Sequence, residues 1–204
     1  NNPLDILIEA SNGASDYGNK IGEPIIGGFT RSYGDLNTEW IKPVMFSAGI
    51  GSINRKHLKK GTPQENLCIV RIGGPAYKIG LGGGFSSSLD QTSSRSNLDW
   101  SAVQRGDPQM GNRLNRVIKI CCDMGNENPI ISIHDQGAGG LANVVKEIVY
   151  PSGGVIYLDN VSLGDDTMKP LEIWCCEFQE SDVILIHNEN IELYNSLENI
   201  RKYN

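Results

Sequence analysis

Residues 130–141 read Ile130-Ile131-Ser132-Ile133-His134-Asp135-Gln136-Gly137-Ala138-Gly139-Gly140-Leu141. The first four residues are rich in isoleucine, as in a buried strand. Apolar residues then recur at helical spacing, at Leu141, Val144, Val145, Ile148 and Val149. A strand therefore leads into a helix. Since α/β proteins bind ligands at the carboxyl ends of strands, and a helix N-terminus favours phosphate, we expect an α/β fold with a ligand site in this turn.

Two interpretations of this turn remain open at this point. In the functional one, Gly137, Gly139 and Gly140 hold a nucleotide or phosphate with their backbone N–H groups. In the structural one, the glycines only permit a tight turn, Asp135 is a turn residue or helix cap, and His134 is a core histidine. The stretch is not a P-loop, because no Lys-Ser/Thr follows the glycines, and it does not match the Gly-x-Gly-x-x-Gly fingerprint.

The composition excludes several classes of protein. The 204 residues carry a net charge of −6 with a pI near 5.1, so no basic stripe exists to bind nucleic acid broadly. Five cysteines follow neither Cys-x-x-Cys spacing nor a disulfide framework, and we expect reduced, buried thiols in a cytoplasmic protein. No signal-peptide pattern or membrane-spanning apolar run is present. Because the chain opens on Asn1 rather than Met, we expect a piece of a longer polypeptide.

The first segment is predicted to be the end of one domain. Residues 6–8 are strand-like, residues 12–28 suggest a loop and a short broken helix, and strands are predicted from Phe29 and over residues 42–53. Residues 54–66 are charged and contain glycine and proline, which is typical of a linker. The predicted domains are therefore residues 1–54 and 55–204.

The second domain is predicted to begin with a strand at residues 67–72. Residues 73–97 then form a loop too rich in glycine and serine to build a core, and such long loops are often functional. Its glycines Gly82, Gly83 and Gly84 are candidates to wrap a phosphate. Asp107 as N-cap and Pro108 at the first helical position predict a helix over residues 108–124.

The remaining elements complete an α/β (α+β) prediction. Further strands are expected at residues 155–158 and 183–186, and further helices from Pro170 and Asn190. We expect the strands of this domain to share one mixed sheet covered by helices.

Several blocks, in one order along the chain, resemble a known enzyme family. They include Ser11-Asn12-Gly13-Ala14-Ser15-Asp16-Tyr17-Gly18-Asn19-Lys20, Lys42-Pro43-Val44-Met45-Phe46-Ser47-Ala48-Gly49, Gly80-Leu81-Gly82-Gly83-Gly84, Ala102-Val103-Gln104-Arg105-Gly106-Asp107-Pro108 and His134-Asp135-Gln136-Gly137-Ala138-Gly139-Gly140. The family is formylglycinamide ribonucleotide amidotransferase, also called phosphoribosylformylglycinamidine synthase, of purine biosynthesis. The resemblance covers essentially the whole chain. It implies the C-terminal part of the first A lobe, followed by the first B lobe, which is related to aminoimidazole ribonucleotide synthetase.

The resemblance also implies a reaction and its site. ATP activates the formamide oxygen of formylglycinamide ribonucleotide, and ammonia that a separate glutaminase domain releases from glutamine displaces the phosphate. Mg²⁺ and ATP (or ADP) are the implied cofactors. Substrate would be held by Gln104, Glu177 and Gln179, and Mg²⁺ by Asp135. Phe178 stands where the family carries a small residue, so we interpret Phe178 as core.

The resemblance places no catalytic residue in this chain, which we therefore expect to be inactive alone. Two alternatives stay open. One is a related small-molecule kinase or synthetase of the same fold. The other is a catalytically silent half of the same enzyme that holds a nucleotide only to stabilise the fold.

Overall fold

The computed structural model describes residues 2–39, 44–81, 106–178 and 180–199. Gln104, Gln179 and the glycines at 82–84 lie outside the described residues, so their roles stay predictions. The chain divides into two units, Asn1–Lys59 and Lys60–Asn204. The domain boundary between residues 54 and 55 also stays a prediction.

The first unit contains one long helix, α1 (Pro3–Ile21). The Asn2 side chain caps it by accepting a hydrogen bond from the Leu4 N–H at 3.1 Å, and Gly22 ends it with a φ of 89°. These start and stop signals outweigh the short apolar run at residues 6–8. The strand predicted there is wrong, and so is the loop predicted from residue 12.

The rest of the first unit has little regular structure among its described residues. It comprises a short 3-10 helix, Arg55–His57, and an isolated bridge between Gly34 and Glu39. The strands predicted from Phe29 and over residues 42–53 are wrong, because residues 29–33 and 44–53 form no ladder and are exposed. A strand pattern yields a strand only where a partner satisfies its N–H and C=O groups.

A three-stranded sheet organises the second unit. Its strands are β1 (Leu67–Gly73), β2 (Ile130–Asp135) and β3 (Ser181–His187), in the order β1-β3-β2. Both pairings are antiparallel, so the prediction of a mixed sheet is corrected. The α/β (α+β) class is confirmed, because helices and this sheet together build the unit. The register places Gly73 opposite Ser181 and Asp135 opposite Asp182.

Helices cover both faces of this sheet. One face carries α2 (Pro108–Asp123), and the other carries α3 (Gly140–Val149) and α4 (Pro170–Cys175). Side chains of β3 alternate between the two cores: Val183 and Leu185 pack with α3 and α4, and Ile184 and Ile186 pack with α2. Helix α5 (Ile191–Asn199) follows β3.

Residues 155–158 do not form the predicted strand. Ile156 and Leu158 pack against the core that α3 and α4 share with β3, whereas Val155 and Tyr157 are 74 % and 70 % exposed. This alternation resembles that of a strand, but the segment joins no ladder and passes into a 3-10 helix, Leu158–Asn160. The pattern predicted the side-chain directions correctly and the backbone pairing wrongly.

The five cysteines are free thiols, and the prediction that they are buried is confirmed for two of them. Cys121 and Cys176 are buried, and the other three are half-buried. Burial raises the pKa of the Cys176 thiol to about 11, which makes it a poor nucleophile. Within the described ranges, no helix is long and apolar enough to cross a bilayer.

Candidate functional site

The turn between β2 and α3 runs from Asp135 to Gly140. The Gly140 N–H donates to the Gly137 carbonyl at 3.0 Å, and Gly139, with a φ of 85°, is the N-cap of α3. No side chain caps this helix, so the interpretation of Asp135 as its cap is wrong. The bond to Gly137 occupies the Gly140 N–H, whereas the other N–H groups at the start of a helix lack intrahelical partners and suit an anion.

Asp135 has a second carboxylate as its neighbour across the sheet. Its side chain is 90 % exposed at the end of β2, and its cross-strand partner on β3 is Asp182. Cross-strand partners share one face of the sheet, and like charges there repel. Burial, together with the charge of Asp135, raises the pKa of Asp182 to about 6.

This carboxylate pair fits the metal that the resemblance implies. Mg²⁺ takes oxygen ligands and is usually bound by one or two carboxylates together with substrate phosphates. In the part of the chain that the structure describes, no group of three or more His, Cys, Asp or Glu side chains converges on one point. Asp135 and Asp182 match in number the carboxylates of a Mg²⁺ site that is completed by phosphate.

His134 lies between two carboxylates rather than in the core. Its Nε2 is 2.6 Å from Glu147 Oε2, and its Nδ1 is 2.9 Å from the Asp135 carbonyl oxygen and 3.3 Å from Asp135 Oδ1. The other oxygen of Glu147 accepts a hydrogen bond from Asn143 Nδ2 at 3.0 Å. These hydrogen bonds, first that of His134 and then that of Asn143, lower the pKa of the Glu147 carboxyl.

Glu177 is a buried carboxyl just after α4. Only 9 % of the residue is exposed, and burial raises the pKa of its carboxyl. Its N–H donates to the Ile79 carbonyl at 3.2 Å, and its side chain lies against the α-carbon of Gly80. The predicted substrate residue thus contacts the start of the predicted phosphate loop.

The structure brings this segment together with the β2–α3 turn. Gly140 packs directly on the backbone of Cys176, the residue before Glu177. The Gln136 N–H donates to the Ser181 carbonyl at 3.0 Å, which joins the turn to the start of β3. The turn, the Glu177 segment and the loop after β1 therefore converge at one end of the sheet.

Residues 64–198 match the protein family described as AIR synthase related protein, C-terminal domain. The chain belongs to this family.

The curated proteins that this chain resembles have a more specific name than the family. The chain is 55 % identical over 200 residues to the probable phosphoribosylformylglycinamidine synthase, chloroplastic/mitochondrial, of Arabidopsis thaliana, a match covering 96 % of this chain and 14 % of the relative. It is 52 % identical over 194 residues to the phosphoribosylformylglycinamidine synthase of Homo sapiens, a match covering 92 % of this chain and 14 % of the relative.

The chain spans about one seventh of the length of these curated relatives. Their names confirm the resemblance drawn from the sequence. Among solved structures, Thermotoga maritima PurL complexed with FGAR matches with a TM-score of 0.69 and 22 % identity, over 90 % of this chain and 30 % of that one. T. maritima PurL complexed with ATP matches with a TM-score of 0.64 and 21 % identity, over 91 % of this chain and 28 % of that one. At these identities the likeness shows the fold alone.

Phe178 is a core residue of this AIR synthase related domain, as the sequence predicted. It is fully buried, and the Arg71 guanidinium stacks 4.6 Å from its ring centroid while donating to the Gly74 carbonyl. Cation–π stacking of this kind adds to the burial of the ring. The Glu177 segment is therefore anchored through its neighbour.

Sequence reasoning missed the partners of the predicted residues. Glu147 on α3 contacts His134, and Asp182 on β3 lies opposite Asp135. Both partners are distant in the sequence and are brought close by the fold. Asn143 and Glu147 do stand at i,i+4 on a predicted helix, a spacing that puts them on one face. Gln136 was also missed: its Oε1 accepts from the Ser181 hydroxyl at 3.0 Å, and its buried Nε2 has no hydrogen-bond partner among the described residues.

Proposed function

We propose that this chain is part of an ATP-dependent phosphoribosylformylglycinamidine synthase. This ligase converts formylglycinamide ribonucleotide to formylglycinamidine ribonucleotide with glutamine-derived ammonia, in de novo purine biosynthesis. The observation that carries the proposal is the convergence of the β2–α3 turn and Glu177 in a chain 55 % identical to a relative of that name. Its partners would be the rest of the synthetase and a glutaminase domain, and its location the cytoplasm.

Glu177 is proposed to bind formylglycinamide ribonucleotide. A buried carboxyl group needs hydrogen-bond donors, and the hydroxyl and amide N–H groups of this substrate can supply them. Burial already raises the pKa of the Glu177 carboxyl, so a donor that reaches it restores part of the lost solvation. Gln104 and Gln179 are proposed to hold the same substrate, as the resemblance implies. PurL of T. maritima has been solved in a complex with FGAR, which supports this choice of ligand.

The glycines are proposed to hold the phosphates of ATP or ADP. Gly137 and Gly139 precede the N-terminus of α3, which no side chain of the described residues caps and where the helix dipole attracts anions. Gly82, Gly83 and Gly84 would approach from the loop whose start contacts Glu177. Backbone donors suit a chain with a net charge of −6, which has no basic field for phosphate.

Asp135 is proposed to hold Mg²⁺ by a carboxylate oxygen, with Asp182 as the neighbouring carboxylate. When bound, Mg²⁺ neutralises charge on phosphate oxygens and so assists the displacement of phosphate. Glu177 would meanwhile orient the substrate, and the N–H groups at the start of α3 would orient the nucleotide phosphates. Proximity and fixed orientation of this kind lower the barrier to displacement.

The experiment is Asp135→Asn in the intact polypeptide that contains this chain. Asparagine keeps the shape and removes the charge, so we expect normal folding and at least about a tenfold rise in the Mg²⁺ concentration for half-maximal turnover. Asp123→Asn is the matched control, because Asp123 is an exposed carboxylate paired with Lys119 at the end of α2. The metal role is wrong if Asp135→Asn leaves both the Mg²⁺ dependence of turnover and the binding of ATP with Mg²⁺ unchanged.

The same variant separates a live site from a silent one. If Asp135→Asn loses ATP binding and thermal stability while turnover is unchanged, this lobe is the silent, nucleotide-holding half. The chain by itself is expected to make no product from ATP, formylglycinamide ribonucleotide and ammonia. Turnover by the purified chain would contradict that expectation.

A further inference from the structure

His134 and Asp135 are adjacent on β2, and their cross-strand partners belong to opposite faces of the sheet. His134 pairs with Val183, which packs with α3, whereas Asp135 pairs with Asp182 on the face of α2. The imidazole is largely covered, with 20 % of its side chain exposed, and the Asp135 side chain is 90 % exposed. The His134 side chain is thus largely buried, and the Asp135 side chain projects into solvent.

The anchor is a chain of hydrogen bonds that ends on Asp135. Asn143 donates to Glu147 at 3.0 Å, and Glu147 lies 2.6 Å from Nε2 of His134. Nδ1 of the same ring lies 2.9 Å from the Asp135 carbonyl oxygen and 3.3 Å from Oδ1 of its carboxylate. Nε2 therefore faces Glu147 on α3 and Nδ1 faces the oxygens of Asp135, so the ring lies between these two residues.

This contact has a specific consequence for the Asp135 carboxylate. An exposed aspartate at a strand end samples several rotamers, and repulsion from Asp182 disfavours those that approach its partner. Nδ1 of His134 lies 3.3 Å from Oδ1, so we expect this contact to favour one rotamer of Asp135 and to leave Oδ2 for a ligand. Since Glu147 and Asn143 lie on α3, the same contacts fix Asp135 relative to the N-terminus of that helix.

We propose that His134 is a positioning residue that holds the Asp135 carboxylate ready for a divalent cation, with Glu147 and Asn143 holding His134. The proposal rests on the proposed function, in which Asp135 binds Mg²⁺. Groups that orient a metal ligand through hydrogen bonds are typically worth 10- to 100-fold in metal affinity. His134 would therefore act on the cation without touching it.

The test measures Mn²⁺ binding by electron paramagnetic resonance in the intact polypeptide that contains this chain. We expect His134→Ala and Glu147→Ala each to raise the Mn²⁺ dissociation constant about tenfold. The double variant, His134→Ala with Glu147→Ala, should have the same Mn²⁺ dissociation constant as the more affected single variant, because both changes break the same chain of contacts. Glu147→Gln, which keeps an acceptor for the ring, should restore most of the affinity.

Asp135→Asn is the reference and Asp123→Asn the control. If Asp135→Asn weakens Mn²⁺ binding but His134→Ala and Glu147→Ala do not, the positioning role is overturned and the proposed function stands. If Asp135→Asn also binds Mn²⁺ like the parent, the metal assignment and the positioning role are both overturned. Should His134→Ala fail to fold, the Glu147 variants decide, because Glu147 is exposed on α3.

Discussion

The side chain of Glu177 fills the space beside the α-carbon of Gly80. A Cβ atom built on Gly80 would lie 2.7 Å from Cγ and 2.8 Å from Cδ of Glu177, closer than non-bonded carbon atoms approach. Gly80 also has a φ of 70°, a left-handed conformation that only glycine adopts readily. The glycine-rich loop and the candidate substrate carboxyl therefore define each other's positions.

Gly80→Ala is expected to displace the Glu177 carboxyl. The positive φ alone should cost about 1–2 kcal/mol of stability, and the clash should add to that cost. Gly153→Ala is the matched control, because Gly153 has a φ of 74° and a Cβ there would meet nothing within 4 Å. Thermal unfolding and calorimetric titration with formylglycinamide ribonucleotide measure both effects. Equal stability losses in the two variants, with substrate binding intact in both, would contradict the prediction.

Glu177→Gln is expected to stabilise the fold at neutral pH and to weaken substrate binding. Burial raises the pKa of Glu177 above its usual 4.5, so the native state binds this proton more tightly than the unfolded chain. Stability therefore falls as pH rises from about 4.5 through the raised pKa, and it stays lower above that value. Glutamine has no charge to desolvate, so the stability advantage of the variant should grow with pH.

Melting temperatures of the parent and of Glu177→Gln, measured from pH 4 to pH 8, test whether the stability advantage of the variant grows with pH. Curves that run parallel over the whole range would mean that Glu177 is solvated or paired in the folded protein. Substrate affinity, measured on the same samples, separates the stability effect from the binding effect.

Phe178→Ala is expected to cost about 3–5 kcal/mol of stability, because a fully buried aromatic ring leaves a cavity. The loss of stacking with Arg71 should add to the effect. Tyr157→Ala serves as the control, since Tyr157 is 70 % exposed and its loss should change stability by about 0.5 kcal/mol or less. Urea unfolding compares them, and similar midpoints for the two variants would be inconsistent with a core role for Phe178.

The elements that the sequence predicted correctly are those with local signals. Asp107 and Pro108 specify the start of α2, and the structure shows the Asp107 side chain accepting from the Met110 N–H at 3.0 Å. The helical spacing from Leu141 likewise predicted α3, which begins at Gly140. Caps and periodicity act over a few residues, so a single sequence is enough to find them.

The errors arise where the outcome depends on partners distant in the chain. Residues 155–158 alternate like a strand, but the sheet pairs β3 with β1 and β2 instead. The same limit applies to the site. Asp135 and Glu177 followed from the resemblance, whereas the contact between His134 and Glu147 needed the packing of α3 against the sheet. Asp182 needed the register of β3.

Two glycines of the β2–α3 turn, Gly137 and Gly140, differ in whether the described structure requires glycine at their position. Gly140 has a φ of 57°, and a Cβ there would clash with the carbonyl oxygen of Cys176 and lie 3.0 Å from its carbonyl carbon. Gly137 has no positive φ, and a Cβ there would meet nothing within 4 Å. Packing explains Gly140, whereas the described structure leaves room at Gly137 for a ligand to approach the backbone.

Gly140→Ala is therefore expected to lose more than about 2 kcal/mol of stability, because it combines a disfavoured φ with a backbone clash. Gly137→Ala should keep its stability within about 0.5 kcal/mol, as an open surface position does. If phosphate approaches the backbone at this turn, however, the added methyl group of Gly137→Ala should weaken ATP binding. Calorimetric titration of ATP with Mg²⁺ into the intact polypeptide, beside thermal unfolding, measures both. Parent-like ATP binding by a stable Gly137→Ala would leave this glycine with no part in phosphate binding, and the turn would then serve only to pack α3 against the segment that carries Glu177.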